Sequence, residues 1–178
     1  GPNNAMLTAS GIKFGFKRTL PHLFGIPFGH VIQITLVCLG LGSLFQKYPI
    51  IQSYLKWICF IYLIYLSWKI LGSFSNNNKE TGRPLKFYEA ALFQFINPKA
   101  WVVALTAATA FFPSDESFII ATAFVTITAP FICFPSICIW AIFGSSIKSL
   151  ISNSKIKKIV EYLLAVLLVV TAVIIIIN

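Results

Sequence analysis

The amino-acid sequence predicts an all-α membrane protein, and three observations predict it. Of its 178 residues, 57% are apolar and only 11% are charged, where soluble domains carry about 25% charged residues. Five stretches stay apolar long enough to cross about 30 Å of hydrocarbon. The cations sit in short clusters between those stretches rather than along one helix face. A soluble fold would leave the apolar runs uncovered, and lipid covers them.

Taken in order, residues 19–46 contain no Lys, Arg, Asp or Glu, and neither do residues 117–147. The run 48–72 carries Lys56 and Lys69 near its two ends, and 89–114 is apolar apart from Glu89 and Lys99. The last run, 159–178, holds only Glu161, four residues after Lys157, a spacing that suits a local helix ion pair. Residues 1–10 are apolar but too short to span, so they are expected to be the tail of a sixth span whose first part is absent. The polar segment 73–83, with Asn76, Asn77 and Asn78 at its centre, reads as a surface loop. It divides the chain into repeat one (1–72), a loop (73–86) and repeat two (87–178) of a single transporter domain. Three spans per half would make the second half enter from the opposite face, the condition for an inverted repeat.

Eleven of the fourteen cations fall on one side of this alternation: Lys13, Lys17, Arg18, Lys69, Lys79, Arg83, Lys86, Lys148, Lys155, Lys157 and Lys158. The positive-inside rule places that side in the cytoplasm and both termini outside. The net charge of +9 is therefore read as a topology signal, and nucleic acid is not an expected partner. The four cysteines lie inside apolar runs without CxxC spacing and read as packing residues, so no metal or disulfide is expected. No cofactor is expected either. In the run 48–72, Tyr54, Trp57, Ile61, Tyr65 and Trp68 form a helical stripe suited to packing or interfacial anchoring. Gly25 and Gly29 around Pro27 form a GxxxG, read as a close helix contact.

Two segments carry the chemistry. Gly1-Pro2-Asn3-Asn4 and Asn97-Pro98-Lys99 each place proline and asparagine where a helix should be crossing lipid. Proline removes an amide and clashes with the carbonyl four residues back. Freed backbone groups are tolerated at membrane depth only against protein or a wet cavity. Amides at a restarted helix can receive a carboxylate, while freed carbonyls and Asn side chains can receive an ammonium, so the pair suits a zwitterion. Kinks filled by neighbouring helices are the alternative. His30, deep in its run, is a candidate for proton coupling, and His22, near the basic end, is expected at the interface. Lys99 is a candidate for solute contact or coupling. Pro130 and Pro135 interrupt the longest run near Thr126, Thr128 and Ser136, whose hydroxyls can re-satisfy freed carbonyls; a kink that moves during transport is the alternative.

Beyond Gly1-Pro2-Asn3-Asn4, the sequence runs through Ser10-Gly11 to Phe14-Gly15-Phe16-Lys17-Arg18, then Leu23-Phe24-Gly25-Ile26-Pro27-Phe28-Gly29. Lys56-Trp57 and Tyr62 to Ile70 follow, and Phe93 to Trp101 comes in the second half. Together and in this order these resemble the LysE/RhtB amino-acid exporter family, most closely its cysteine and O-acetylserine exporter branch. The resemblance implies six spans, a bacterial inner-membrane location, and efflux of amino acids or their derivatives, such as cysteine, O-acetylserine, threonine or homoserine. It implies proton antiport, a small amino-acid substrate and the lipid bilayer as partners, and it admits a homodimer. Family members carry a further stretch ahead of the Gly-Pro, so the chain is expected to be N-terminally truncated. A transporter of metal ions or other small solutes in the same superfamily, and an inactive remnant, stay open as alternatives. A membrane enzyme is not expected, because no acidic residue falls mid-span to build an acid–base constellation.

Overall fold

The computed structural model describes residues 1–73, 83–110, 117–150 and 153–177. The segments 74–82 and 111–116, which hold most of the expected polar loop and Asp115-Glu116, lie outside the described residues, as do 151–152 and Asn178.

Proline at the first helical position opens α1 (Pro2–Phe14), where its missing amide costs nothing. Gly15, at φ +81°, is the sole residue between α1 and α2 (Phe16–Leu36). Gly40, at φ +104°, bends the chain inside a π-helical turn, Val37–Leu41, that leads into α3 (Gly42–Lys47). The expected run 19–46 is thus one kinked rod. Next come α4 (Ile50–Ile70), α5 (Phe87–Ile96), α6 (Pro98–Ala110), α7 (Phe118–Leu150) and α8 (Ser154–Ile177).

Among the described residues, four helical stretches are long and apolar enough to cross a membrane: Phe16–Leu41, Ile50–Ile70, Phe118–Lys148 and Lys155–Ile177. The remaining expected span is the pair α5 and α6, broken at Asn97. The α7 helix runs through Pro130 and Pro135 without stopping. There the Thr128 hydroxyl donates to the Phe124 carbonyl and the Ser136 hydroxyl to the Ile132 carbonyl. Neither is a carbonyl that a proline frees, since those belong to Thr126 and Phe131.

Thirteen residues make α1 about 20 Å long, short of a span, and it lies in the interior, buried from Ala5 to Ile12. It is held against α7 by glycines: a Cβ on Gly11 would stand 2.5 Å from the Ala141 carbonyl oxygen, and one on Gly144 would overlap the Thr8 carbonyl oxygen. The Gly25/Gly29 face of α2 lies on α5 in the same way, with Phe87, Ala90 and Ala91 against it. The close-contact reading of that GxxxG holds. The third main contact packs α4 on α8, where the Ser67 hydroxyl donates to the Ala165 carbonyl at 3.0 Å.

Outward faces are apolar, as lipid requires. The stripe Tyr54, Trp57, Ile61, Tyr65 and Trp68 is exposed along its whole length, which fits anchoring rather than core packing. Glu161 is buried, and its carboxylate accepts the Gly72 amide at 3.2 Å, tying α8 to the turn that follows α4. One expectation needs correction. His22 is 1% exposed rather than interfacial, because helix phase turns it inward although Arg18 lies one turn away.

Candidate functional site

The two proline–asparagine segments meet. A Cβ on Gly1 would touch the Lys99 side chain, 3.0 Å from Cδ and 3.2 Å from Nζ. The Asn3 amide donates to Gln94 Oε1 at 2.8 Å, and Gln94 Nε2 donates back to Asn3 Oδ1 at 3.3 Å. Two helix N-termini, those of α1 and α6, therefore face one place, each bringing partial positive charge.

The break at Asn97 is closed by side chains from elsewhere. Pro98 has no amide for the Gln94 carbonyl, and Gln33 Nε2 of α2 supplies the missing donor at 2.8 Å. The Phe95 carbonyl accepts Trp101 Nε1 at 2.8 Å. Asn97 Oδ1 caps α6 by accepting the Lys99 amide at 3.2 Å. The carbonyls expected to receive an ammonium are thus largely occupied, and the Lys99 and Ala100 amides are already bonded to Asn97. What remains for a solute is donor-rich: the Lys99 ammonium, the Asn97 side-chain NH2 and the two helix dipoles.

These groups line a cavity of about 660 Å³. Gly1, Pro2, Asn3, Asn4, Asn97 and Lys99 bound one part of it, and Pro98 lies at the break itself. His30, from α2, also lines it, with Nδ1 buried and without a hydrogen-bond partner among the described residues. Thr128 and Ser136 bring hydroxyls from α7, and the remaining wall is apolar, with Ile26, Ile34, Val103, Phe124 and Ile132 among its larger side chains. Lys99 is exposed toward this space rather than enclosed in the packing. Every expected site residue except Pro98 lines the cavity. Sequence reasoning missed Gln33 and Gln94, both 0% exposed. The available signal was an amide side chain within a long apolar run, which must find a partner.

Apolar helices of lipid length, packed round a broken helix pair and an internal cavity, define a multi-pass α-helical membrane protein. The chain belongs to the LysE type translocator family, which it matches over residues 1–178. A cysteine/O-acetylserine efflux protein of Salmonella paratyphi A is 30% identical over 112 residues, covering 62% of this chain and 57% of that protein. Proteins of the same name from Escherichia coli K12 and Shigella sonnei are 28% identical over 146 residues, covering 81% of this chain and 74% of theirs. The chain thus spans about half the length of the Salmonella relatives it matches. No solved structure matches it.

Proposed function

We propose that this protein exports amino acids or their derivatives across a bacterial inner membrane, in exchange for protons. The observation that carries the reading is the meeting of the α1 and α6 N-termini beside Lys99 at one cavity. A carboxylate is drawn to that end by a cation, an amide donor and two helix dipoles. Its ammonium takes acceptors such as Asn4 and the lone pairs of Thr128 and Ser136, whose hydrogens are already given to the backbone. The apolar wall receives a short side chain. His30, on the same cavity, is the candidate proton carrier. The printed names of the relatives, cysteine/O-acetylserine efflux proteins, favour small sulfur- or oxygen-bearing side chains. Metal-ion transport is the weaker reading, since Lys99 would repel a cation in this cavity.

In this reading residues 1–72 and 87–178 are inverted repeats, with the cation-rich loop 73–86 in the cytoplasm. Cells expressing the gene should release more amino acid into the medium and survive toxic amino-acid excess better than controls. Cysteine, O-acetylserine, threonine and homoserine are the first compounds to assay. Unchanged amino-acid release together with higher divalent-metal tolerance would replace this reading with the metal one.

Orientation has its own measurement. In a cysteine-free background, a cysteine at Asn77 should resist an impermeant thiol reagent in intact cells, and one at Ser114 should react. The opposite pattern would invert the topology.

A further inference from the structure

A second, smaller cavity of about 130 Å³ lies at the cation-rich end of the fold. It is lined by the inner part of α1 (Met6, Ser10, Lys13), by Lys69 and Ser73 at the end of α4, and by His22 of α2. His22 is 1% exposed, and neither of its ring nitrogens has a hydrogen-bond partner among the described residues. The buried Ser73 hydroxyl also has none. Burying three polar atoms unpaired is costly, of order 1–3 kcal/mol for each group. Their convergence on a cavity rimmed by Lys13 and Lys69 points to a ligand that completes them. Arg83 also lines this cavity, but its guanidinium is committed to Glu89 through two contacts of 2.6 Å. Lys13 and Lys69 are the other cationic side chains on its lining.

The two cavities are in series. Their walls share α1, which gives Pro2, Asn3 and Asn4 to the larger one and Met6, Ser10 and Lys13 to the smaller. They also share one face of α2, where His22, Ile26 and His30 recur every four residues. On the two helices that the cavities share, Leu7 of α1 and Leu23 and Ile26 of α2, each 0% exposed, pack into one apolar cluster. We infer that the His22 cavity is a loading site that takes the carboxylate of a small amino acid before it passes the Leu7–Leu23–Ile26 plug to Lys99. This inference rests on the export reading for the identity of its ligand. His22 and Ser73 donate to the carboxylate, while Lys13 and Lys69 set its charge preference.

The test uses Ser73→Cys in the otherwise cysteine-free protein, purified and placed in nanodiscs, with alkylation by a small maleimide as the readout. L-serine and L-threonine are the probes, L-serinamide the control without a carboxylate, and inorganic phosphate and anionic lipid the competing anions. At a probe concentration ten times Kd about a tenth of the sites stay free, so alkylation should slow roughly tenfold. Serinamide should have little effect. His22→Phe should abolish the protection, and His22→Gln, which keeps a donor, should retain part of it. Lys99→Met should leave protection intact, because Lys99 belongs to the other cavity. Protection without amino-acid release from cells would leave the carboxylate site standing and remove the export reading. Release from cells without protection of Ser73→Cys would remove the loading site alone. Protection by phosphate or anionic lipid but by neither amino acid would also overturn it, reassigning the cavity to a phosphate group.

Discussion

Lys99→Met should reduce amino-acid release by roughly tenfold to a hundredfold while leaving the amount of protein in the membrane near wild type. A hydrogen bond to a charged group contributes about 1.5–3 kcal/mol, and each 1.4 kcal/mol is tenfold in affinity. Among the described residues Lys99 is the side-chain cation on the cavity lining, exposed toward that space beside the start of α1. Its removal relieves an insertion penalty of up to about 3 kcal/mol, so folding should not suffer. Lys99→Arg keeps the charge but changes its shape, and should restore release only in part. Asn97→Ala removes the α6 cap and the free NH2 together, and should also lower release. Pro98→Ala returns an amide to compete with Gln33 for the Gln94 carbonyl, straightening the break and lowering release without loss of protein. Quantitative blots beside the release assay check both halves of this expectation. Wild-type release from all four variants would make the break purely structural.

Much of this site is legible in the sequence because proline and asparagine are conspicuous in an apolar run. Their physical consequence, a broken ladder of hydrogen bonds, follows from the residue types alone. What satisfies the break is not legible. Gln33 reaches the Gln94 carbonyl across 61 residues of sequence and Asn3 reaches Gln94 across 91, so no local pattern announces either pair. The freed carbonyls look available for an ammonium until Gln33 and Trp101 are seen on them. In the proposed reading, that turns a balanced zwitterion site into one stronger at its carboxylate end.

The expected place of His22 fails for a related reason. Distance along the chain from the cationic cluster gives depth in the membrane, but helix phase decides which way a side chain points. His22 shares its α2 face with Ile26 and His30, which line the larger cavity, and that spacing was readable. Glu161 has Lys157 one turn away, and its carboxylate also reaches the Gly72 amide in the turn after α4, a contact across 89 residues that no local pattern announces. Four of the apolar runs are the easiest reading, since lipid tolerates so few charged residues that their gaps mark the helices.

Gly25→Ala and Gly29→Ala should each lower the melting temperature of the purified protein, and the double variant should largely fail to assemble. A Cβ on Gly25 overlaps the Phe87 carbonyl oxygen and stands 2.8 Å from Ala90 Cβ. On Gly29 it stands 2.6 Å from the Ala91 carbonyl oxygen and 2.8 Å from Gln94 Cγ. Backbone cannot rotate aside as a side-chain tip can, so α2 and α5 must separate. Overpacking typically costs about 1–3 kcal/mol and occasionally more, and at this size each kcal/mol lowers the melting temperature by roughly 2–4 °C. A loss of about 10 °C per substitution is therefore at the upper end of the expected range. Separation also pulls Gln33 from the Gln94 carbonyl, because both sit on the two helices being forced apart. Gly42→Ala is the comparison: its nearest obstacle is the tip of Leu105 at 3.1 Å, a side chain that can shift. That variant should keep a melting temperature close to wild type. Fluorescence-detected gel filtration across a temperature series measures all of these in detergent. If Gly25→Ala and Gly29→Ala melt with Gly42→Ala, the α2–α5 contact is looser than described, and the break it positions is held by α1 and α7 instead.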